Sequence, residues 1–205
     1  MIIKSASFEV SAANLSGAPA GALPEFAFIG RSNVGKSSLI NLLTQRRDLA
    51  AVSATPGKTR LLNFFRINNQ WRVVDLPGYG FAKGNKNERA DFNVAVADYL
   101  ERGENVTCVF VLVDATIPPQ RIDLEFLRWL DGCDVPYAVV LTKTDKISRG
   151  KLQQATAQFE RELAAAGVAL PEVFPVSAQT RVGRDELLTF IESYLGGGDA
   201  HLPRV

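Results

Sequence analysis

Gly30-Arg31-Ser32-Asn33-Val34-Gly35-Lys36-Ser37 follows the apolar run Phe26-Ala27-Phe28-Ile29 and precedes Ser38-Leu39-Ile40-Asn41-Leu42-Leu43. That order is strand, glycine loop, helix. A glycine, four residues and then Gly-Lys-Ser is the spacing of a phosphate-binding loop. Its glycines let the backbone wrap a phosphate and aim successive N–H groups at it, while Lys36 reaches the outer phosphates and the Ser37 hydroxyl can ligate Mg²⁺. The competing reading is a plain glycine turn between a strand and a helix, and the regular elements on both sides weigh against it.

Working outward, the chain has 205 residues, 46% of them hydrophobic and 22% charged. That length and balance can bury a full core as one domain and exclude fibrous and disordered classes. No apolar run reaches the roughly 20 residues of a membrane span, and Met1-Ile2-Ile3-Lys4-Ser5 lacks the features of a signal peptide, so a cytoplasmic protein with no membrane partner is expected. Cys108 lies in an apolar run and Cys133 near a helix end, with neither metal-ligand spacing nor a disulfide framework; both read as small core residues. The single histidine, His201, follows Gly196-Gly197-Gly198 in a tail with little to pack, which excludes histidine-based catalysis.

In chain order, residues 1–22 read as an N-terminal arm in which Ile3 to Val10 can form a short strand. Phe26 to Ile29 is a strand and Lys36 to Arg46 a helix. Asp48 to Arg60, containing Thr55-Pro56-Gly57-Lys58-Thr59, has no sustained periodicity and reads as a loop. Leu61 to Ile67 and Trp71 to Leu76 flank Asn68-Asn69-Gln70 as a β-hairpin, which calls for one antiparallel strand at a sheet edge. Pro77 to Gly84 is a glycine-rich, mobile segment. Then come a helix (Glu88–Arg102), a strand (Val106–Val113), a helix (Gln120–Leu130), a strand (Tyr137–Leu141), a helix (Arg149–Ala166), a strand (Val173–Val176) and a closing helix (Arg184–Leu195). Apolar strands alternating with helices predict an α/β fold with a mainly parallel, six-stranded sheet and helices on both faces. Right-handed crossovers put the strand ends, and any site, on one edge. The expected organisation is the arm, one nucleotide-binding domain over 23–195 and a flexible tail over 196–205.

Three further segments fall at strand ends. Asp75-Leu76-Pro77-Gly78 is an Asp, two residues and a Gly: the carboxylate can hold a Mg²⁺ water and the Gly78 N–H can meet a γ-phosphate. In Thr142-Lys143-Thr144-Asp145, the Asp can accept two hydrogen bonds from the N1–H and 2-amino group of guanine, and the Lys stem can pack along the ring. Adenine offers no such pair of donors, so a buried acceptor would go unpaired against it. Ser177-Ala178 follows the last strand, where a backbone N–H can reach guanine O6. Thr59 is the candidate second hydroxyl for Mg²⁺, with Thr55 as runner-up.

Through GRSNVGKSS, TPGKT, DLPGYG, TKTD and SA, in that order, the chain resembles the TRAFAC-class GTPases with a Ras-like P-loop fold, and more narrowly the EngB (YihA/YsxC) family of bacterial ribosome-biogenesis GTPases. The resemblance covers residues 20 to 195. It implies GTP and GDP as ligands with Mg²⁺, a slow GTPase cycle, a monomer that assists maturation of the large ribosomal subunit through its rRNA and proteins, and an association with cell division and septation. The nucleotide-contacting set it implies is Gly30, Arg31, Ser32, Asn33, Val34, Gly35, Lys36 and Ser37; Gly57, Lys58, Thr59, Arg60 and Leu61; Asp75, Leu76, Pro77 and Gly78; Thr142, Lys143, Thr144 and Asp145; and Ser177, Ala178 and Gln179. Within it, Lys36, Thr59 and Gly78 would carry catalysis, and Ser37 and Thr59 would ligate the metal.

Where Ras-like enzymes often place a glutamine after Asp-x-x-Gly to orient the attacking water, this chain has Tyr79, which cannot do so in the same way. Hydrolysis should then be slow and completed by a partner or an ion; Arg60 in the loop is one cation in reach, but nothing selects it. Asn33 is either a loop residue tolerant of unusual dihedrals or, as in some similar GTPases, a K⁺ contact beside the phosphates.

The net charge of +1 hides an asymmetry: from Lys58 to Arg89 there are seven basic residues (58, 60, 66, 72, 83, 86, 89) against Asp75 and Glu88, a local +5. Such a segment is either a solvated face or a site for an anionic partner such as RNA. Three function classes follow: a GTP-driven assembly switch on the ribosome, a P-loop metabolic enzyme or kinase, which would need a lid that no insertion here supplies, and a direct regulator of septal proteins.

Overall fold

A computed structural model of the chain describes residues 1–50, 61–79 and 86–196, with only the backbone described over 86–93. The strands are β1 (Ala6–Ala12), β2 (Glu25–Gly30), β3 (Leu62–Ile67), β4 (Trp71–Asp75), β5 (Val106–Asp114), β6 (Tyr137–Thr142) and β7 (Glu172–Pro175). The helices are α1 (Lys36–Thr44), α2 (Lys86–Arg102), α3 (Arg121–Asp131), α4 (Arg149–Ala165) and α5 (Arg184–Leu195).

All seven strands form one sheet in the order β1-β3-β4-β2-β5-β6-β7. The α/β class and mainly parallel sheet match the sequence expectation, but the strand count corrects it from six to seven. The extra strand is β1: the segment read as an arm pairs antiparallel with β3 from Ala6↔Ile67 to Ala12↔Leu62. β3 is the reversed strand of the expected hairpin, antiparallel to β4 as well, and β1 displaces it one place in from the edge.

The period-two alternation of the strands divides the core between two faces. Phe26 and Phe28 of β2, and Cys108, Phe110 and Leu112 of β5, join Leu39, Ile40 and Leu43 of α1 and Leu187, Leu188 and Ile191 of α5. Ala27 and Ile29, with Val109, Val111 and Val113, point the other way and meet Tyr99 of α2, Leu127 and Leu130 of α3, and Phe159 and Leu163 of α4. Two helices thus cover one face and three the other, so central strands are apolar at nearly every position. Cys108 is buried in this core, and its thiol is pushed far up by burial; Cys133 is half-buried beside the Trp129 carbonyl. Among the described residues, no helix is long and apolar enough to cross a membrane.

β2 lies between β4 and β5, parallel to both. The chain leaves β2 toward β3 on one side, and leaves β5 toward β6 on the other. The crevice at the carboxyl ends of β2 and β5 is therefore the switch point at which open α/β sheets take ligands.

Candidate functional site

The loop after β2 is built as a cradle for an anion. Asn33 (φ 62°) and Gly35 (φ 105°) both adopt the left-handed conformation. Val34 N–H turns back to the Arg31 carbonyl at 3.3 Å. Alternating backbone hand of this kind turns successive N–H groups inward as a nest. Gly35 then begins α1 with no side-chain cap and no acidic residue in the first turn, so the helix N-terminus keeps its donors and positive dipole end for an anion.

Close packing explains the other glycines. A Cβ on Gly30 would stand 2.8 Å from the Leu112 carbonyl oxygen, and one on Gly78 only 2.5 Å from that of Gly30. The Asp75–Gly78 segment therefore runs directly against the phosphate loop. Its start is fixed by Leu76 N–H, which donates to the Phe28 carbonyl at 3.0 Å. The Lys36 ammonium donates to the Asp75 carboxylate and to the Leu76 carbonyl oxygen, which joins the two segments electrostatically. Asp75 is 4% exposed. Ser37, in the first turn of α1, and Asp75 present hard oxygen donors, the set Mg²⁺ prefers when phosphate oxygens and waters complete its shell. Among the described residues no cluster of three or more acidic, His or Cys side chains could hold a metal unaided.

The loops after β5, β6 and β7 meet beside this cradle. Thr142, at the end of β6 and opposite Asp114 in register, donates its hydroxyl to the Val34 carbonyl at 2.6 Å and lies 3.2 Å from that of Val113. It braces the phosphate loop from behind. Lys143 is left-handed (φ 60°), and its ammonium donates to Asp114 at 2.5 Å. Asp114 also accepts from the Thr116 N–H at 2.9 Å and hydroxyl at 2.6 Å. Burial alone would raise the Asp114 carboxyl, but the Lys143 and Thr116 hydrogen bonds outweigh it and hold the group below the usual range. Thr144 N–H donates to the Val176 carbonyl at 3.3 Å, fixing the loop after β6 to that after β7.

Asp145 is exposed, and one of its oxygens accepts from the buried Ser177 hydroxyl at 2.7 Å. That orients the second oxygen outward. Ser177 N–H is already committed to the Val182 carbonyl at 3.0 Å, and Thr180 N–H donates to the Ser177 hydroxyl at 3.0 Å. Of the Ser177-Ala178 pair, Ala178 thus carries the backbone donor that a base could use, with exposed Gln179 beside it.

Tyr79, in the glutamine position, is buried against α3. Its hydroxyl donates to Asp123 at 2.9 Å and its ring stacks on Phe126, with centroids 4.4 Å apart and planes at 14°. Arg31 of the phosphate loop pairs with the same Asp123 oxygen at 3.3 Å.

The structure brings together the segments at 30–37, 75–78, 142–145 and 177–179. Leu61, just before β3, is 41% exposed. Gly57, Lys58, Thr59, Arg60 and Thr55, Lys83, and His201 with the rest of 197–205 lie outside the described residues, as do the side chains of Lys86 and Arg89. Of the seven cations behind the local +5, Arg66 and Arg72 are turned to other work: Arg66 pairs with Glu9, and Arg72, fully buried, pairs with Glu9 and Glu25. Sequence reasoning missed Asp114 and Asp123. An acidic residue ending an apolar strand on the site edge was a usable signal for the first; Asp123 reads locally only as a helix cap, accepting from the Gln120 N–H at 3.3 Å.

Residues 25–143 match the family model of the 50S ribosome-binding GTPases. The chain is 48% identical over 193 residues to a probable GTP-binding protein EngB of Bacteroides fragilis, covering 94% of this chain and 96% of the relative. A crystal structure of a probable GTP-binding protein EngB superposes with TM-score 0.67 at 26% identity, over 84% of this chain and 98% of that one. Era bound to MgGDPNP and nucleotides 1506–1542 of 16S ribosomal RNA superposes with TM-score 0.68 at 25% identity, over 90% of this chain and 60% of that one.

Proposed function

The chain belongs to the EngB family of GTP-binding proteins, and from that premise we propose that it is a slow GTPase acting in the cytoplasm as a monomeric, nucleotide-gated switch in large ribosomal subunit assembly. The observation that carries the reading is the convergence of the phosphate cradle, Lys36 with Asp75, and the outward oxygen of Asp145 on one edge of the sheet.

In this reading the loop amides and Lys36 hold the β- and γ-phosphates, with Ser37 and Thr59 as ligands of Mg²⁺, which when bound neutralises phosphate charge. Gly78 N–H meets the γ-phosphate. Asp145 reads guanine, the Lys143 stem packs along the ring, and Ala178 N–H meets O6. The burial of Tyr79 against α3 supports slow intrinsic turnover, because its hydroxyl is committed to Asp123. Asn33, left-handed beside the cradle, is the proposed K⁺ contact. K⁺ should then accelerate hydrolysis over Na⁺ and Asn33→Ala should erase the difference; equal rates in the two salts would leave Asn33 a loop residue.

The matched family's description as ribosome-binding, and the capture of Era with ribosomal RNA, support a ribosomal partner. Lys58, Arg60, Lys83, Lys86 and Arg89 supply cations beside the two segments that a γ-phosphate would order. Co-sedimentation with large subunits across a salt series, in GDP and in a non-hydrolysable GTP analogue, tests this. Tighter binding with the analogue is expected, and replacing Lys83 and Lys86 should lower the salt slope by about one unit for each RNA phosphate no longer neutralised. Equal binding in both nucleotides, or a slope indifferent to the substitutions, would refute the gated surface.

A further inference from the structure

We propose that Asp123 is a positioning residue that ties the γ-phosphate side of the site to helix α3, so that α3 senses whether GTP or GDP is bound; this rests on the guanine-nucleotide reading above. Asp123 is 1% exposed, in the first turn of α3. Three separate segments meet it: the Tyr79 hydroxyl just past β4 donates at 2.9 Å, Gln120 N–H donates at 3.3 Å, and the Arg31 guanidinium of the phosphate loop forms an ion pair at 3.3 Å. Burial raises the Asp123 carboxyl above its usual range against the opposing pull of these donors. Burial and the neighbouring Asp123 also push the Tyr79 phenol far up, so it stays a donor.

A carboxylate this buried cannot shed a donor without large cost, since the unpaired group gains no water in exchange. A displacement of Tyr79 or Arg31 is therefore followed by Asp123. Displacement at Tyr79 has a source, because it directly follows Gly78, which lies so close to the phosphate loop that a Cβ there would stand 2.5 Å from the Gly30 carbonyl oxygen. A third phosphate engaging the Gly78 N–H shifts a segment that cannot absorb the shift locally, and the next residue carries it to Asp123. The ring contacts run the same way: Tyr79 stacks on Phe126, and Phe126 lies 5.5 Å from Trp129 at an interplanar angle of 47°. Trp129 is half-buried, while Arg121, Glu125 and Arg128 on α3 are exposed. The surface that responds is thus a charged helix face, well away from the phosphate loop in sequence.

A purely structural Asp123, serving only as the cap of α3, predicts lost stability on substitution and no nucleotide-dependent signal. The test uses the full chain with Mg²⁺. Binding of GDP and of a non-hydrolysable GTP analogue is measured by calorimetry, and tryptophan emission is read at saturation with each. Parent protein should show different end-points for the two nucleotides, and Trp129→Phe should abolish the difference, which assigns it to α3. Asp123→Asn and Tyr79→Phe should each cut the difference by more than half. Tyr79→Phe removes one hydroxyl and keeps the ring stack, so it serves if Asp123→Asn does not fold. Identical end-points while calorimetry registers both nucleotides overturn the coupling and leave the GTPase reading standing. A full difference retained in Tyr79→Phe also overturns it, and no heat of binding for either nucleotide removes both readings.

Discussion

Two groups of charge sit at opposite ends of the same sheet, and they are finished differently. At the amino ends of β2 and β4, Arg72 is fully buried and each of its five N–H donors meets chain: Glu9 at 3.0 and 3.4 Å, Glu25 at 3.2 Å, the Ala20 carbonyl at 2.8 Å and the Gly21 carbonyl at 3.4 Å. Tyr99 closes the set by donating to the other Glu25 oxygen at 2.8 Å. Burial raises the Glu25 carboxyl, whereas Glu9, which burial would also raise, is held down by Arg66 and Arg72. At the carboxyl ends, the α1 N-terminus lacks a side-chain cap and Asp145 is exposed, anchored by Ser177 through one oxygen. Charge that is fully paired fastens the β1 edge to the domain. Charge that is oriented but not fully paired is what a ligand can use.

The sharpest way to break this contrast is Arg72→Met. It leaves buried Glu25 with the Tyr99 hydroxyl but no cation, while Glu9 keeps Arg66, and it should cost about 3–5 kcal/mol of unfolding free energy because an uncompensated buried charge remains. Denaturant titration checks the loss, and guanine-nucleotide affinity of the folded fraction should hold. A loss of affinity matching the loss of stability would mean that the two ends are not independent.

Lys36→Ala makes the reverse cut. It should remove about 1.5–3 kcal/mol of triphosphate affinity, the scale of a charge-assisted contact. Calorimetric titration with GTP decides, and unchanged binding would take Lys36 out of the phosphate site.

Thr142→Val sharpens the boundary between holding and binding. It deletes the brace on the Val34 carbonyl while keeping the side-chain shape, and about 0.5–1.5 kcal/mol of stability should go with it. Nucleotide affinity should fall only as far as the loop loosens. A loss of GTP binding with full stability would instead put Thr142 in contact with the nucleotide.

The same contrast governs what could be read from the residues in a row. The phosphate loop was legible because its chemistry is contiguous: one strand, eight residues and one helix hold the cradle together. The loops after β6 and β7 are legible in part, since Asp145 and Ser177 each stand just after a strand. The Arg72 network was not, because Glu9 and Arg72 are 63 residues apart and Tyr99 and Glu25 are 74 apart. Counting Arg66 and Arg72 as surface cations overstated the basic segment for the same reason. β1 looked like an arm because only Ala12 of its seven residues is buried, and its partner strand lies some fifty residues on. The absent glutamine was visible at Tyr79, but its lodging on α3 depends on Asp123 and Phe126, more than forty residues away.

Base discrimination tests the central claim, that the carboxyl edge is a guanine-nucleotide site, most directly. Parent protein and Asp145→Asn are titrated with GTP, ATP and xanthosine triphosphate in Mg²⁺. GTP should bind far more tightly than ATP in the parent, because adenine leaves the Asp145 carboxylate without its two donors. In Asp145→Asn the preference should move from GTP to the xanthine nucleotide, whose 2-carbonyl accepts from the new amide. Equal binding of ATP and GTP by the parent would contradict the account.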